Sequence, residues 1–158
     1  MNDKKIGFTI GKFAPLHKGH QFLIETALKE MDEFYVVVYE TDKININIEK
    51  RAEWIKTLYP NVNILYAEKP PMKYGIDEVS VKIQMEYLSK IIKDIKLTHF
   101  YSSEVYGKYV AEYLNIENRQ IDKERINYNI SATKILKNIE QSKEWVNEIV
   151  YNDLKMYK

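Results

Sequence analysis

Three histidines occur in the 158 residues, and two of them, His17 and His20, stand three apart in the segment Gly11-Lys12-Phe13-Ala14-Pro15-Leu16-His17-Lys18-Gly19-His20. Gly11 removes a side chain where a ligand would approach the main chain. Pro15 stiffens the loop. Gly19 and His20 open a helical pattern, whose unpaired N–H groups and positive dipole end attract anions. Lys12, His17, Lys18 and His20 add donors and positive charge. Together they describe a polyphosphate site. The loop lacks GxxxxGK(S/T) and GxGxxG, so it is neither a P-loop nor a dinucleotide fingerprint. An isolated HxxH also fits a helix cap or a metal pair. A metal pair needs a third ligand, and the remaining histidine, His99, falls in a strand pattern with no HExxH present.

The elements that must hold this loop follow from periodicity. Ile6–Ile10 reads as a short buried strand, and Ile24, Ala27, Leu28 and Met31 mark the helix after the loop. Phe34–Tyr39 is continuously apolar, as in a parallel strand covered on both faces. A helix from near Ile48 to before Pro60 puts Ala52, Ile55 and Leu58 inward, and Val62–Tyr66 is a third strand. Ala67–Gly75 is a loop, and Val81, Met85, Leu88 and Ile92 mark a long helix. Leu97–Tyr101 is a fourth strand, followed by the helical stripe Tyr106, Tyr109, Val110 and Tyr113, read as core. Arg119–Asp122 is a short fifth strand, and helices cover Ser131–Ile139 and Lys143–Leu154. This alternation predicts an α/β fold: a Rossmann-like doubly wound parallel sheet of about five strands with helices on both faces. One domain spans residues 1–158, with the C-terminal helices, about 131–154, packing on it. Ligands of such sheets bind beyond the C-terminal strand ends, where the first βα loop matters most.

Composition narrows the function. Lys and Arg total 24 against 23 Asp and Glu, a net charge of +1, which argues against a nucleic-acid wrapper. With no cysteine there is no disulfide, thiolate metal site or cysteine nucleophile, which suits the cytoplasm. No apolar run approaches a membrane span. Met1–Lys5 leads straight into the first strand and is expected not to be a signal peptide.

The loop resembles the GxFxPxHxGH signature of the HxGH nucleotidylyltransferases. Ile130-Ser131-Ala132-Thr133-Lys134-Ile135-Leu136 resembles their second motif, ISxTxxR. Four features are similar to the NadR-type nicotinamide-nucleotide adenylyltransferase domain: GKFAPLHKGH itself, Arg51-x-x-Trp54, Tyr101-Ser102-Ser103-Glu104, and Arg125 five residues before Ile130. No P-loop follows and no helix-turn-helix precedes, so the kinase and DNA-binding parts of longer NadR proteins are not expected.

The resemblance implies adenylyl transfer from ATP to nicotinamide mononucleotide, giving NAD and pyrophosphate by in-line attack. His17 and His20 would hold the phosphates and Lys12 would neutralise their charge. Gly11, Phe13, Gly19 and Ser102 would meet the nucleotide. Ile130, Ser131, Thr133, Lys134 and Arg125 would hold it from the second motif. Arg51 and Trp54 would bind the acceptor. Mg²⁺ would ride on the substrate phosphates and water, with no side-chain ligand set. Arginine is scarce, three against 21 lysines, which suggests a bidentate role such as phosphate binding for Arg51 and Arg125; the alternative is a surface charge on a helix and a loop. Trp54 either stacks on a cationic ring or packs in the core. Asp42 is a further candidate for substrate contact. No nucleic-acid or membrane partner is expected, and a homo-oligomer is left open.

One departure stands out. Leu136 occupies the place of the final arginine of ISxTxxR. The alternatives are therefore another HxGH cytidylyl- or adenylyltransferase with a different phosphorylated acceptor, or a catalytically weak nucleotide-binding sensor.

Overall fold

Successive valines of the second strand, Val36, Val37 and Val38, send their side chains to opposite faces, and each face must be covered. The computed structural model describes residues 3–72, 75–104, 106–121 and 130–156, and shows how this is done. Strands β1 (Ile6–Gly11), β2 (Glu33–Tyr39), β3 (Asn63–Ala67), β4 (His99–Ser102) and β5 (Glu117–Gln120) alternate with helices α1 (Lys18–Glu30), α2 (Ile48–Leu58), α3 (Glu78–Ile92) and α4 (Tyr106–Leu114). Helix α5 (Ala132–Lys137), a 3₁₀ turn (Glu140–Glu144) and helix α6 (Glu148–Met156) follow. The strands form one parallel sheet in the order β3-β2-β1-β4-β5. The expected doubly wound sheet of five strands is present.

Val36 and Val38 pack with Ile24 and Ala27 of α1, Ala52 and Ile55 of α2, Ile135 of α5, and Val150 and Leu154 of α6. Val37 packs with Phe8, Phe100, Met85 and Leu88 of α3, and Val110 of α4. The C-terminal segment therefore shares the core of the α1/α2 face. It also reaches the loop after β1, where the Lys18 N–H donates to the Trp145 carbonyl at 2.8 Å. Between β1 and β4 the strand order reverses, and the chain ends on both sides leave a crevice there.

Several elements differ from the sequence reading, among them β4, expected over Leu97–Tyr101 and found over His99–Ser102. The helix expected over Lys143–Leu154 is instead the 3₁₀ turn and α6, because Ser142 Oγ donates to the Ile139 carbonyl at 2.6 Å and the Trp145 carbonyl is used by Lys18. Strand β5 begins two residues early, at Glu117, and Asp122 lies outside the described residues. Of the α4 stripe, Val110 is buried in the core and Tyr106 packs against it, while Tyr113 is exposed. Among the described residues, no helix is long and apolar enough to cross a membrane.

Candidate functional site

The loop after β1 is closed by its two histidines. His17 is the N-cap of α1, and its Nδ1 accepts the N–H groups of Gly19 at 3.1 Å and His20 at 3.4 Å. His20, at the third helical position, returns the favour: its Nδ1 accepts the His17 N–H at 3.1 Å. This is a capping box built from two imidazoles. The rings stack with centroids 3.7 Å apart and 19° between planes. An Nδ1 that accepts carries no proton, so each neutral ring holds its proton on Nε2 as a donor. Of the readings that the sequence offers for the pair, the helix cap is present, and the same two side chains line the cleft described below.

Phe13 sets the approach to this pair. Its φ is 49°, a left-handed conformation that an aromatic residue adopts only when its surroundings enforce it. The turn lays its ring over Gly11, where an added Cβ would stand 3.0 Å from Phe13 Cζ. The ring, buried in the core cluster of the α1/α2 face, also meets His20 edge-on, at 4.9 Å between centroids.

A cleft of about 610 Å³ opens at this point, in the size range of small-ligand pockets. Gly11, Lys12, Phe13, His17, Gly19 and His20 line its centre. Ser102 at the end of β4 and Ser103 and Glu104 after it, with Ile130, Ser131 and Thr133 before and within α5, line one side. Tyr39 at the end of β2 and Lys43 after it, Pro70 and Pro71 after β3, and Gln84 of α3 line the other. Helix α1 has no acidic residue in its first turn, whereas α2 and α3 carry Glu49 and Glu78 there, so the positive end at the cleft is not offset locally. Burial pushes the Tyr39 and Tyr106 hydroxyls well above the usual phenol range, so both stay protonated donors.

Ten of the residues singled out in the sequence thus share one cleft. Three do not. Lys134 is exposed, and its N–H is used by the Ser131 Oγ cap at 3.2 Å. Trp54 is 2 % exposed and donates from Nε1 to Asp153 Oδ2 of α6 at 2.7 Å, so it is core. Arg51 is fully buried and is neither a surface charge nor a lining residue. Its Nε donates to the Ile46 carbonyl at 3.0 Å, and its Nη1 to the carbonyls of Tyr39, at 2.9 Å, and Lys12. Arg125 lies outside the described residues. Asp42 is exposed and its neighbour Lys43 lines the cleft instead. Leu136 packs on the α1/α2 core face.

Thr9, Tyr39, Lys43 and Gln84 were missed. Tyr39 ends β2 and Lys43 follows it, and the rule that strand ends collect ligands could have found them. Gln84 sits mid-helix and has no local signal; its Nε2 donates to the Pro71 carbonyl at 3.1 Å. Among the described residues, no group of three His, Cys, Asp or Glu could hold a metal ion, and Glu104 is the carboxylate in the lining. This donor set fits a cation carried by phosphate oxygens rather than one caged by side chains.

Comparison with known proteins adds the following. Residues 7–150 match the family described as the citrate lyase ligase C-terminal domain. The trifunctional NAD biosynthesis/regulator protein NadR of Salmonella typhimurium is 28% identical over 153 residues, covering 85% of this chain and 37% of the relative. A NadR crystal structure in complex with NAD and AMP-PNP superposes with a TM-score of 0.68 at 23% identity, covering 92% of this chain and 45% of the other. A bifunctional NMN adenylyltransferase/ADP ribose pyrophosphatase from Francisella tularensis, complexed with AMP and a manganese ion, gives 0.70 at 19% identity, covering 98% and 49%. The chain spans less than half the length of each of these proteins.

Proposed function

The chain belongs to the citrate lyase ligase C-terminal domain family, which is nucleotidyltransferase-like, and from that premise we propose that it transfers an adenylyl group from ATP to nicotinamide mononucleotide, giving NAD and pyrophosphate. The acceptor is the part of this reading that leans on resemblance, to the NadR relative and to the NMN adenylyltransferase structure.

One observation carries the reading: two histidines locked by their own Nδ1 atoms as Nε2–H donors, at a helix start that lines the cleft. Transfer of this kind needs no protein nucleophile. An acceptor phosphate oxygen forms a bond to the α-phosphorus as the bond to the bridging β-oxygen breaks, and pyrophosphate leaves with the electron pair. The protein's task is orientation and charge stabilisation. His17 and His20 donate to phosphoryl oxygens as charge builds, and Lys12 adds a cation beside them. Ser131 and Thr133 offer hydroxyls to the pyrophosphate end of ATP. Ser102 and Ser103 lie on the adenosine side. Mg²⁺, when bound through the triphosphate, screens its charge.

The test is product formation. ATP, nicotinamide mononucleotide and Mg²⁺ are mixed with the pure chain, and NAD is followed by chromatography. NAD appearing with turnover supports the proposal; none appearing beside a working control adenylyltransferase ends it. Parallel mixtures with nicotinate mononucleotide, other phosphorylated acceptors and CTP decide among HxGH transferases. A second reading is favoured by Leu136, which presents no cation from α5: a nucleotide-binding sensor. It requires ATP binding by calorimetry with no turnover on any acceptor.

A further inference from the structure

Helix α2 buries the stripe Ile48, Arg51, Ala52 and Ile55, at i, i+3, i+4 and i+7. Such a stripe is apolar by rule, and a fully buried arginine in it calls for a reason. Glu40 and Glu49 favour its charge from a distance, but among the described residues Arg51 forms no contact ion pair. Its guanidinium donates to three main-chain carbonyls, and these come from three segments: Lys12 after β1, Tyr39 at the end of β2, and Ile46 before α2. A guanidinium holds its donors in one rigid plane and can serve diverging acceptors together; a lysine ammonium cannot reproduce that geometry.

The Lys12 carbonyl belongs to the peptide that leads into Phe13, the residue turned to φ 49°. From Phe13 the contacts run on without a gap. Its ring meets His20 edge-on at 4.9 Å, and His20 stacks on His17 at 3.7 Å. We propose that Arg51 is a positioning residue: by holding the Lys12–Phe13 peptide it fixes the Phe13 ring, and through that ring the orientation of the His20 and His17 imidazoles. Here a buried arginine works on the histidine pair from behind the loop. The inference rests on the reading of His17 and His20 as phosphate donors only for its kinetic consequence.

The experiment uses ¹⁵N-histidine-labelled chain and the variants Arg51→Lys, Phe13→Leu and Leu88→Ala. Leu88 lies in the core of the opposite face, so its loss reduces stability without touching the clamp. Circular dichroism and thermal unfolding report the fold, and ¹⁵N spectra report the tautomer and environment of each ring. Arg51→Lys and Phe13→Leu are expected to shift the Nδ1 and Nε2 signals of His20 and His17, with loss of the single Nε2–H tautomer. Leu88→Ala is expected to leave them unmoved at similar loss of stability. In turnover, Arg51→Lys is expected to lower kcat by roughly 10–100-fold, the scale of a misplaced catalytic group, with the KM for ATP within about threefold. Folded Arg51→Lys with wild-type histidine signals overturns the proposal. If Arg51→Lys does not fold, Phe13→Leu decides, and unshifted signals there overturn it as well. The spectra need no turnover. A wild-type chain that makes no NAD but shows these shifts therefore ends the transferase reading and leaves the positioning role standing.

Discussion

His17 and His20 cap the same helix for each other, each Nδ1 taking the other residue's main-chain N–H, at 3.4 and 3.1 Å. The consequence is chemical as well as structural. The nitrogen that holds the helix cannot also carry the proton, so the proton sits on Nε2. Protonating either ring to imidazolium removes its acceptor and with it half of the cap.

Cap and chemistry separate by substitution. Asparagine is a good N-cap but lacks the Nε2–H donor. His17→Asn is therefore expected to keep the unfolding midpoint near wild type while kcat/KM falls by about two orders of magnitude, as loss of one transition-state donor does. His17→Ala should show the same kinetic loss and also lose about 0.5–2 kcal/mol of stability, the usual cost of an absent cap. Urea unfolding and steady-state rates on both variants check this. Near-wild-type turnover in His17→Asn would make the pair a cap and nothing more.

The sheet and the loop were legible because both have local signals. The β-branched valine run of β2 reads as a strand covered on both faces, and the glycine, proline and histidine loop marks a βα turn at a helix start. What was not legible depends on direction and distance. Arg51 and Trp54 were recognised by type and spacing, but the choice between cleft and core belongs to which face of α2 meets the sheet. The clue was present: Arg51 falls on the same stripe as Ala52 and Ile55, and a charge on an inward stripe is buried for a purpose. Strand β5 is an edge strand whose residues Glu117 to Arg119 are exposed, so no apolar pattern marks its start. The split of the last helix is set by a tertiary bond, Lys18 N–H to the Trp145 carbonyl, that no window of sequence contains.

Glu30 gives a pH prediction. Its carboxylate is held to about 2 by the Arg119 guanidinium, which donates from Nη2 at 2.9 Å and Nε at 3.1 Å, and by the Tyr101 hydroxyl at 2.6 Å. The pKa is depressed from 4.5, so the stabilisation is present above pH 4.5 and is lost as pH falls toward 2. Glu30 and Arg119 are each more than a third exposed, which keeps the effect near the surface ion-pair range of about 1 kcal/mol or less. Urea unfolding of wild type and Glu30→Gln should differ at pH 7 and converge between pH 4.5 and 2. A gap that does not change with pH would remove the charge from the explanation.

Trp54 joins α2 to α6 through Asp153, which also lies 3.6 Å from Lys50. Trp54→Phe deletes the indole donor and leaves a smaller ring in a filled core. The expected loss is about 1–3 kcal/mol, the sum of a broken bond to a charged group and lost contact. The acceptor KM should stay within about twofold. A tenfold rise in that KM at wild-type stability would bring the indole to the substrate after all.

Leu136 is the last test, because it separates enzyme from sensor. It lies three residues after Thr133 and four after Ala132, both of which line the cleft, so on a helix it shares their side. At that place a leucine packs on the α1/α2 core face, whereas a longer side chain could pass that surface and reach the phosphates. Leu136→Arg is expected to raise ATP affinity about tenfold, one charge-assisted contact, while lost apolar packing costs about 1 kcal/mol. Calorimetry with ATP and thermal unfolding read the two effects separately. Tighter ATP with faster turnover identifies the leucine as a brake on an active transferase. Tighter ATP with no turnover on any acceptor shifts the assignment to the sensor, and unchanged affinity shows that α5 does not present position 136 to the triphosphate.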